Sequence, residues 1–275
     1  MAIEMNGKVV AMRGEEELKV RLEKLQSKKE LATILVGDNP ASVMYVKMKC
    51  KACERIGLGS RLVKLSEDTT TEQLINIIDE LNNDDSVCGI LLQHPVPKQI
   101  DERLCFDRIS LQKDVDGVNS ASFGLMSMGS DSFVSATPLG IITLLKEYKI
   151  ELAGKHAVVV GRSAILGKPV SQLLLNENCT VTICHSKTND LDKILRTADI
   201  VIGAVGKPKF IKKEWLKEGV VLVDAGYNEG NVGDIDLENV KEISSAYTPV
   251  PGGVGPMTIY SLLSQSVASA ERMNN

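Results

Sequence analysis

The sequence has 275 residues, of which 43% are hydrophobic and 25% charged, and its formal net charge is -4. This composition is typical of globular proteins, and the length suits one large domain or two ordinary ones. An acidic chain without a run of roughly 18 apolar residues gives no reason to expect nucleic acid or a membrane as a partner. Because the first residues also lack the pattern of a signal peptide, we expect a cytoplasmic protein.

The six cysteines, at positions 50, 53, 88, 105, 179 and 184, are scattered through predicted helices and strands. This distribution favours reduced, buried thiols over a disulfide framework. Cys50 and Cys53 have the spacing of a zinc-binding pair, but they fall inside a helix and no second pair follows. We therefore predict no metal site.

Strand-like runs alternate with helical patterns along the chain, which indicates parallel sheets built from strand-helix-strand units. In the first half, an opening helix near residues 15–26 precedes the strands LATILVG, RLVKLS and GILLQHP, which are separated by helices at about 40–56 and 71–82. The helix at 40–56 is well delimited. Asn39 suits the N-cap, Pro40 the first helical position, and Gly57 the left-handed residue after the last turn.

From about residue 137 the pattern begins again with a helix and the strands HAVVVGR, TVTICHS, IVIGAVG and VVLVDAG. Continuous valine and isoleucine runs are typical of strands covered on both faces. The predicted fold class is therefore two-domain α/β. We expect residues 1–136 to form an N-terminal α/β domain, the candidate catalytic domain for the reasons given below, and residues 137–255 to form a doubly wound Rossmann-like domain. An apolar helix at 256–275 is expected to pack back on the first domain.

The segment VVVGRSAILGKPVSQLLL is the best candidate for binding a nucleotide. Gly161 ends the strand and Gly167 opens the helix, so we expect backbone N–H groups at the helix start to face a phosphate. The spacing is irregular, because Ser163 stands where a second glycine belongs and the third glycine is one residue late. It matches a P-loop even less, since Pro169 replaces the magnesium-binding Ser or Thr. A dinucleotide site is favoured, with a structural turn as the alternative.

The end of the second strand of this domain indicates which dinucleotide is bound. NAD-dependent enzymes usually place an acidic residue there to hold the ribose hydroxyl groups, but here the chain reads His185-Ser186-Lys187-Thr188. Lys187 and Arg162 suit a 2'-phosphate through charge-assisted hydrogen bonds. NADP is therefore the predicted cofactor, and the alternative is that both residues are ordinary surface charges.

In the first half, polar side chains on one helix and after two strands are candidates for chemistry. They are Tyr45 and Lys49 on the helix, Gln93 and His94 after GILL, and Asp114 and Asp116 in KDVDGVN. Strand ends and the loops after them are where parallel sheets usually bind ligands. A lysine that acts as a base must be desolvated or lie near a cation, so that its pKa falls well below about 10.4. Each residue taken alone also suits a surface or core-edge position.

Several segments, in the right order, resemble the bifunctional methylenetetrahydrofolate dehydrogenase/cyclohydrolase family over essentially the whole chain. They are NPASVMYVKMKCKACERIG, GILLQHPVP, KDVDGVN, TPLGI, GRSAILGKP, ICHSKT, VGD and TPVPGGVGPMT. The resemblance implies that NADP takes a hydride from 5,10-methylenetetrahydrofolate, and that water then opens the methenyl product to 10-formyltetrahydrofolate. It also suggests a homodimer.

The resemblance assigns roles to residues of both domains. Lys49 is the catalytic amine of the water step, with Gln93 hydrogen-bonded near it. Tyr45 stacks on the folate ring system, Asp116 holds the pterin, and Ser42 lies near the same site. The matched cofactor positions are Gly161, Arg162, Ser163, Ser186, Tyr227 and Thr137, and the positions at the meeting of nicotinamide and folate are Pro251, Gly252 and Gly253.

Tyr227 is the departure from the family pattern that matters most, because a small aliphatic residue is usual there and a larger ring alters the fit of the cofactor. Two other readings of the sequence stay open. One is a dehydrogenase of similar plan acting on another substrate, which would not need Tyr45, Lys49, Gln93 and Asp116. The other is a non-catalytic NADP-binding protein, which the presence of Lys49 disfavours.

Overall fold

The computed structural model describes residues 2–274. In chain order its elements are β1 Ile3–Glu4, α1 Gly7–Leu22, β2 Glu30–Val36, α2 Pro40–Ile56, β3 Gly59–Leu65, α3 Thr71–Asn82, β4 Val87–Leu92, α4 Glu102–Arg108, α5 Ser120–Ser127, α6 Ala136–Glu147, β5 His156–Val160, α7 Gly167–Asn176, β6 Thr180–Cys184, α8 Leu191–Leu195, β7 Ile200–Gly203, a 3₁₀ helix Lys213–Trp215, β8 Val220–Asp224, α9 Leu237–Val240, β9 Ser244–Tyr247 and α10 Val254–Asn274. The two-domain α/β class predicted from the sequence is confirmed.

The chain divides into two compact units, each with its own parallel sheet. The six-stranded unit comprises the residues up to Met12 and Thr137–Thr258, and its strands lie in the order β1-β9-β8-β7-β5-β6. The three-stranded unit comprises Arg13–Ala136 and the residues from Ile259 onward, and its strands lie in the order β3-β2-β4. Neither unit is one continuous stretch of sequence.

The six-stranded unit is held by a core of branched aliphatic side chains. Strands β5, β7 and β8 are almost completely buried, as their valine and isoleucine runs predict for central strands of a parallel sheet. Val158, Val201 and Leu222 from these three strands lie in one cluster. Strand β6 lies at the edge of the sheet and is more exposed.

The three-stranded unit has a core to which distant segments contribute. Leu31 of β2, Leu91 of β4 and Cys53 of α2 pack in one cluster with Leu262 and Val267 of α10. The apolar sequence of α10 is thereby removed from water, which contributes to stability roughly in proportion to the buried area.

The residues up to Met12 belong to a different unit from the rest of the predicted domain of residues 1–136. The division places them with Thr137–Thr258, because β1 pairs in parallel with β9 through Ile3 and Ala246. Only two residues form β1 and both are exposed, so no period-two pattern marks it as a strand. Likewise α10 begins at Val254 and divides between the units after Thr258.

Candidate functional site

Helix α2 carries the first candidate residues of the three-stranded unit. Its start and end are as predicted: the Asn39 side chain accepts hydrogen bonds from the N–H groups of Ala41 and Ser42, and Gly57 adopts a left-handed conformation. Tyr45 and Lys49 are half-buried, one turn apart, and Ser42 is buried one turn before Tyr45. Because residues three and four apart share a helix face, these three side chains lie along one stripe.

Gln93, the residue directly after β4, contacts Lys49 of this stripe. Its backbone N–H donates to the Ile34 carbonyl at 2.9 Å, so Gln93 extends the pairing of β2 and β4 by one residue. The Lys49 Nζ donates to Gln93 Oε1 at 3.0 Å, while Gln93 Nε2 donates to the His94 carbonyl at 2.6 Å. The second bond fixes the orientation of the amide, so that its oxygen faces the amine.

Asp116 lies on a loop that is held from several sides. The Asp114 carboxylate accepts the N–H groups of Val118 and Asn119, both at 3.0 Å, and the Asp116 carbonyl accepts the N–H of Ala136 at 3.2 Å. Gly117 has a φ of 62°, and a Cβ there would collide with the backbone of Val134. Glycine is therefore required at this position for the loop to present Asp116.

The charges of Lys49 and Asp116 are perturbed by their surroundings. Desolvation on burial lowers the pKa of Lys49, and the negative charge of Asp116 opposes this shift. Desolvation also raises the pKa of Asp116, opposed by the charges of Lys49 and His94. Both directions favour the neutral forms, and a lysine that can lose its proton is what base catalysis near neutral pH requires.

In the six-stranded unit, the loops after β5 and β6 start from aligned strand ends. Val160 of β5 pairs with Cys184 of β6, and this is the last pair of the two strands. Arg162 and Ser186 each lie two residues after this pair. Gly161 has a φ of 136°, and a Cβ there would collide with the backbone of Ala204. Arg162, Ser163, Ser186 and Lys187 are exposed at this edge of the sheet.

One expectation about this loop is wrong. The first N–H groups of α7 are not free, because those of Gly167 and Lys168 donate to the Oγ and the carbonyl of Ser163, and Pro169 has none. In the described part of the chain, the N–H groups of the five preceding residues, 162–166, donate no hydrogen bond. A loop with successive free N–H groups still suits a diphosphate, so the residues fit a dinucleotide.

Two buried aspartates also organise this edge, and the sequence reasoning did not single them out. Asp224, at the end of β8, accepts the N–H groups of Gly226, Asp234 and Ile235, and burial raises its pKa to about 6. Asp234 accepts the N–H groups of Val205, Gly206 and Lys207 in the loop after β7. For Asp224 the signal available in the sequence was an acidic residue at the end of the apolar run VVLVD, and Asp234 lies in the VGD segment.

The remaining predicted positions belong to the same unit. The Thr137 hydroxyl lies 3.0 Å from that of Thr258, and the exposed Tyr227 donates its hydroxyl to Asn231 Oδ1 at 2.7 Å. Pro251, Gly252 and Gly253 form the turn before α10, in which the Gly252 carbonyl accepts the N–H of Lys8 at 3.0 Å.

Metal and disulfide chemistry have no support in the described part of the chain. All six cysteines are free thiols, five of them buried, and no group of three His, Cys, Asp or Glu side chains among residues 2–274 is arranged to hold a metal ion. Over the same residues, no helix combines the length and the apolar sequence needed to cross a membrane. The predicted burial holds for five of the cysteines, and Cys50 is half-buried.

A Rossmann-like unit whose loop after β5 suits a dinucleotide, in one chain with a desolvated Lys49, Gln93 and Asp116, is the plan of a two-domain α/β enzyme that uses a dinucleotide. Residues 5–116 match the catalytic domain of the tetrahydrofolate dehydrogenase/cyclohydrolase family, and residues 135–274 match its NAD(P)-binding domain. The chain belongs to this family, as the sequence motifs predicted.

Individual relatives agree over nearly the full length. The bifunctional protein FolD of Cellvibrio japonicus is 58% identical over 98% of both chains. The crystal structure of the bifunctional FolD of Campylobacter jejuni is 45% identical, with a TM-score of 0.97 over 99% of both chains. The dehydrogenase-cyclohydrolase of Trypanosoma brucei, solved with NADP and an inhibitor, is 31% identical, with a TM-score of 0.94 over 98% of both chains.

Proposed function

We propose that this protein oxidises 5,10-methylenetetrahydrofolate to the 5,10-methenyl form with NADP, and hydrolyses the methenyl form to 10-formyltetrahydrofolate, in one-carbon metabolism. The observation that carries the proposal is the desolvated Lys49 amine, held 3.0 Å from Gln93 Oε1 and acted on by the charge of Asp116. A simple alcohol dehydrogenase would not need Tyr45, Lys49, Gln93 and Asp116 together. The bound NADP supplies the hydride acceptor for the oxidation.

Lys49 serves the water step as a proton carrier. The water oxygen bonds to the methenyl carbon while the neutral Lys49 Nζ takes one water proton. The bond from that carbon to N5 then breaks as the new hydroxyl loses its proton and becomes the formyl oxygen on N10. Of the two protons, N5 receives one and the other leaves to solvent. One N–H of the neutral Lys49 amine still donates to Gln93 Oε1. The lone pair of the amine nitrogen then points away from Gln93 and accepts the proton from the water. The methenyl cation further favours a neutral Lys49, since like charges repel.

The other polar residues of the three-stranded unit bind the substrate. Tyr45 stacks its ring on the pterin, one helical turn from Lys49, so that the amine reaches the reacting carbon. Asp116 holds the pterin by hydrogen bonds, and Ser42 lies on the same stripe. We assign Pro251, Gly252 and Gly253 to the boundary between the folate and the nicotinamide.

The cofactor residues lie in the six-stranded unit. The N–H groups of residues 162–166 hold the diphosphate after the turn at Gly161, with Ser163 bracing the loop. Arg162 binds the 2'-phosphate together with Ser186, and Thr137 and Tyr227 contact the nicotinamide half. Positioning is the main contribution of these residues, because the hydride chemistry belongs to the cofactor.

The test is an absorbance assay with 5,10-methylenetetrahydrofolate and NADP, and a separate assay of the decay of methenyltetrahydrofolate. We expect the wild-type protein to reduce NADP and to accelerate methenyl decay, and Lys49→Ala to abolish the second activity while still binding NADP. Lys47→Ala is the matched control, because Lys47 is an exposed lysine of the same helix. Hydrolysis by Lys49→Ala at the wild-type rate would contradict the proposal.

We infer that the active form is a homodimer. Within the described residues β6 pairs with β5 alone, so its other edge offers unpaired backbone groups, and Ile183 and Leu175 are 40% and 52% exposed near it. An open edge with apolar side chains favours pairing with a second copy. Light scattering should give twice the chain mass, and a charge introduced by Ile183→Lys should give monomers; a wild-type monomer would refute the dimer.

We place the protein in the cytoplasm. Reduced cysteines and the bacterial relatives support this location. Cell fractionation with an antibody should recover the protein with cytoplasmic markers.

A further inference from the structure

Glu102, the first residue of α4, has a side chain whose partners lie outside its own helix. Its Oε1 accepts from His94 Nδ1 at 2.6 Å and lies 3.4 Å from the Val96 N–H. These contacts hold both sides of Pro95. Glu102 itself is fixed in place, because the preceding Asp101 caps α4 through the Leu104 N–H.

The same segment carries the amide that faces the catalytic amine. The His94 carbonyl accepts Gln93 Nε2 at 2.6 Å, and Gln93 Oε1 accepts the Lys49 amine at 3.0 Å. A continuous set of hydrogen bonds therefore runs from Glu102 through the His94 residue to Gln93 and Lys49. If the His94 carbonyl turned away, the Gln93 amide would lose the partner that sets its orientation.

The charges along this set act in one direction. The groups whose charges act on Asp116 are Lys49 and His94, and each opposes the rise that burial causes in the pKa of Asp116. His94 is therefore held by Glu102 through its ring and also acts on the carboxylate that is proposed to hold the pterin.

We propose that Glu102 and His94 are positioning residues of the water step, which hold the Gln93 amide with its oxygen towards the Lys49 amine. The inference rests on the proposed hydrolysis. Neither residue contacts the reacting atoms, so their effect is on kcat for hydrolysis through Gln93. A small displacement of a catalytic group reduces the rate steeply, because the amine must reach the water with the right geometry.

The test compares variants that remove a hydrogen bond with variants that keep it. Glu102→Ala and His94→Leu should lower the ratio of hydrolysis to oxidation by about tenfold, through kcat and with little change in KM. Glu102→Gln keeps an acceptor and His94→Asn keeps a donor near the position of Nδ1, so both should recover most of the rate. Glu72→Ala is the control, since Glu72 is an exposed acid in the first turn of α3.

Three results would overturn the inference. The first is hydrolysis by Glu102→Ala within twofold of the wild type, and the second is an equal loss in the Ala and Gln variants. The third is a parallel loss of both activities and of the melting temperature, which would indicate a purely structural role. A wild-type protein that does not hydrolyse methenyltetrahydrofolate would refute the proposed function itself. Loss in Lys49→Ala but not in Glu102→Ala would refute only the positioning role.

Discussion

Arg55 donates two hydrogen bonds to Glu15, from Nε to Oε2 at 2.9 Å and from Nη2 to Oε1 at 2.6 Å. The two residues lie in the last turn of α2 and in α1, and Glu15 is 8% exposed. The paired geometry is the one in which arginine and carboxylate interact most strongly. It ties the helix that carries Lys49 to the part of α1 that belongs to the same unit, from Arg13 onward.

We expect Arg55→Ala to destabilise the protein, because it leaves the Glu15 carboxylate buried without a partner. The free energy of unfolding should fall by about 2 kcal/mol, less than for a fully buried pair because the Arg55 side chain is half-exposed. Urea unfolding measures the change. Lys51→Ala, at an exposed position of the same helix, should leave the free energy within about 0.5 kcal/mol of the wild type. Equal stability of Arg55→Ala and Lys51→Ala would contradict the prediction.

The rate of methenyl hydrolysis should rise with pH through the pKa of Lys49, which burial places below its usual value of 10.5. Only the neutral amine accepts a proton from water, so the rising limb of the pH-rate profile reports this group. Lys49→Arg should lose the activity at every pH, because a guanidinium does not deprotonate in this range. If Lys49→Arg kept the pH-rate profile of the wild type, the rising limb would belong to another group.

Asp114 should make the stability depend on pH. Burial raises its pKa from 3.8 to about 7, against the hydrogen bonds that favour the charged form. Between these values the folded chain holds a proton that the unfolded chain has lost, so the free energy of unfolding decreases as the pH rises towards 7. The stabilisation is complete below the unfolded pKa and is lost as the pH passes the folded pKa.

Asp114→Asn does not titrate and should therefore flatten this decrease. The comparison is urea unfolding of both proteins at about pH 5 and about pH 7.5. Asp224, whose pKa is raised to about 6, contributes in the same direction and is unchanged in the variant, so a smaller slope should remain. Equal slopes in the two proteins would show that Asp114 is ionised when folded.

Arg162→Ala should weaken the binding of NADP more than that of NAD, because a 2'-phosphate is the only charge that distinguishes the two. A loss of about tenfold for NADP corresponds to one charge-assisted hydrogen bond. Titration with both dinucleotides measures the two constants, and Arg196→Ala, an exposed arginine of the same unit, is the control. Equal losses for NADP and NAD would exclude a role in recognising the 2'-phosphate.

The helices and central strands could be predicted from the sequence because local signals define them. Asn39, Pro40 and Gly57 fix the ends of α2, and buried valine runs mark β5 and β8. The two-residue β1 and the four-residue β9 carry no comparable signal, since pairing between distant segments creates them.

The candidate site was predicted only in part, for a similar reason. Periodicity places Tyr45 and Lys49 on one stripe, and the family resemblance suggests Gln93 near Lys49. The contact itself joins residues 44 positions apart and depends on the pairing of β2 with β4. The use of the first α7 N–H groups by Ser163, and the anchoring of His94 by Glu102, depend on loop conformations that the sequence pattern does not specify.

The core of the three-stranded unit contains Leu262 and Val267, which lie beyond the whole of Thr137–Thr258 in the chain. During synthesis the ribosome therefore releases the complete six-stranded unit before the other unit has all of its core residues. Domains generally fold as units while the chain emerges. Here the unit that carries Lys49 keeps apolar side chains exposed until Leu262 and Val267 have been synthesised. A chain interrupted before residue 262 would therefore be bound by chaperones or degraded by proteases.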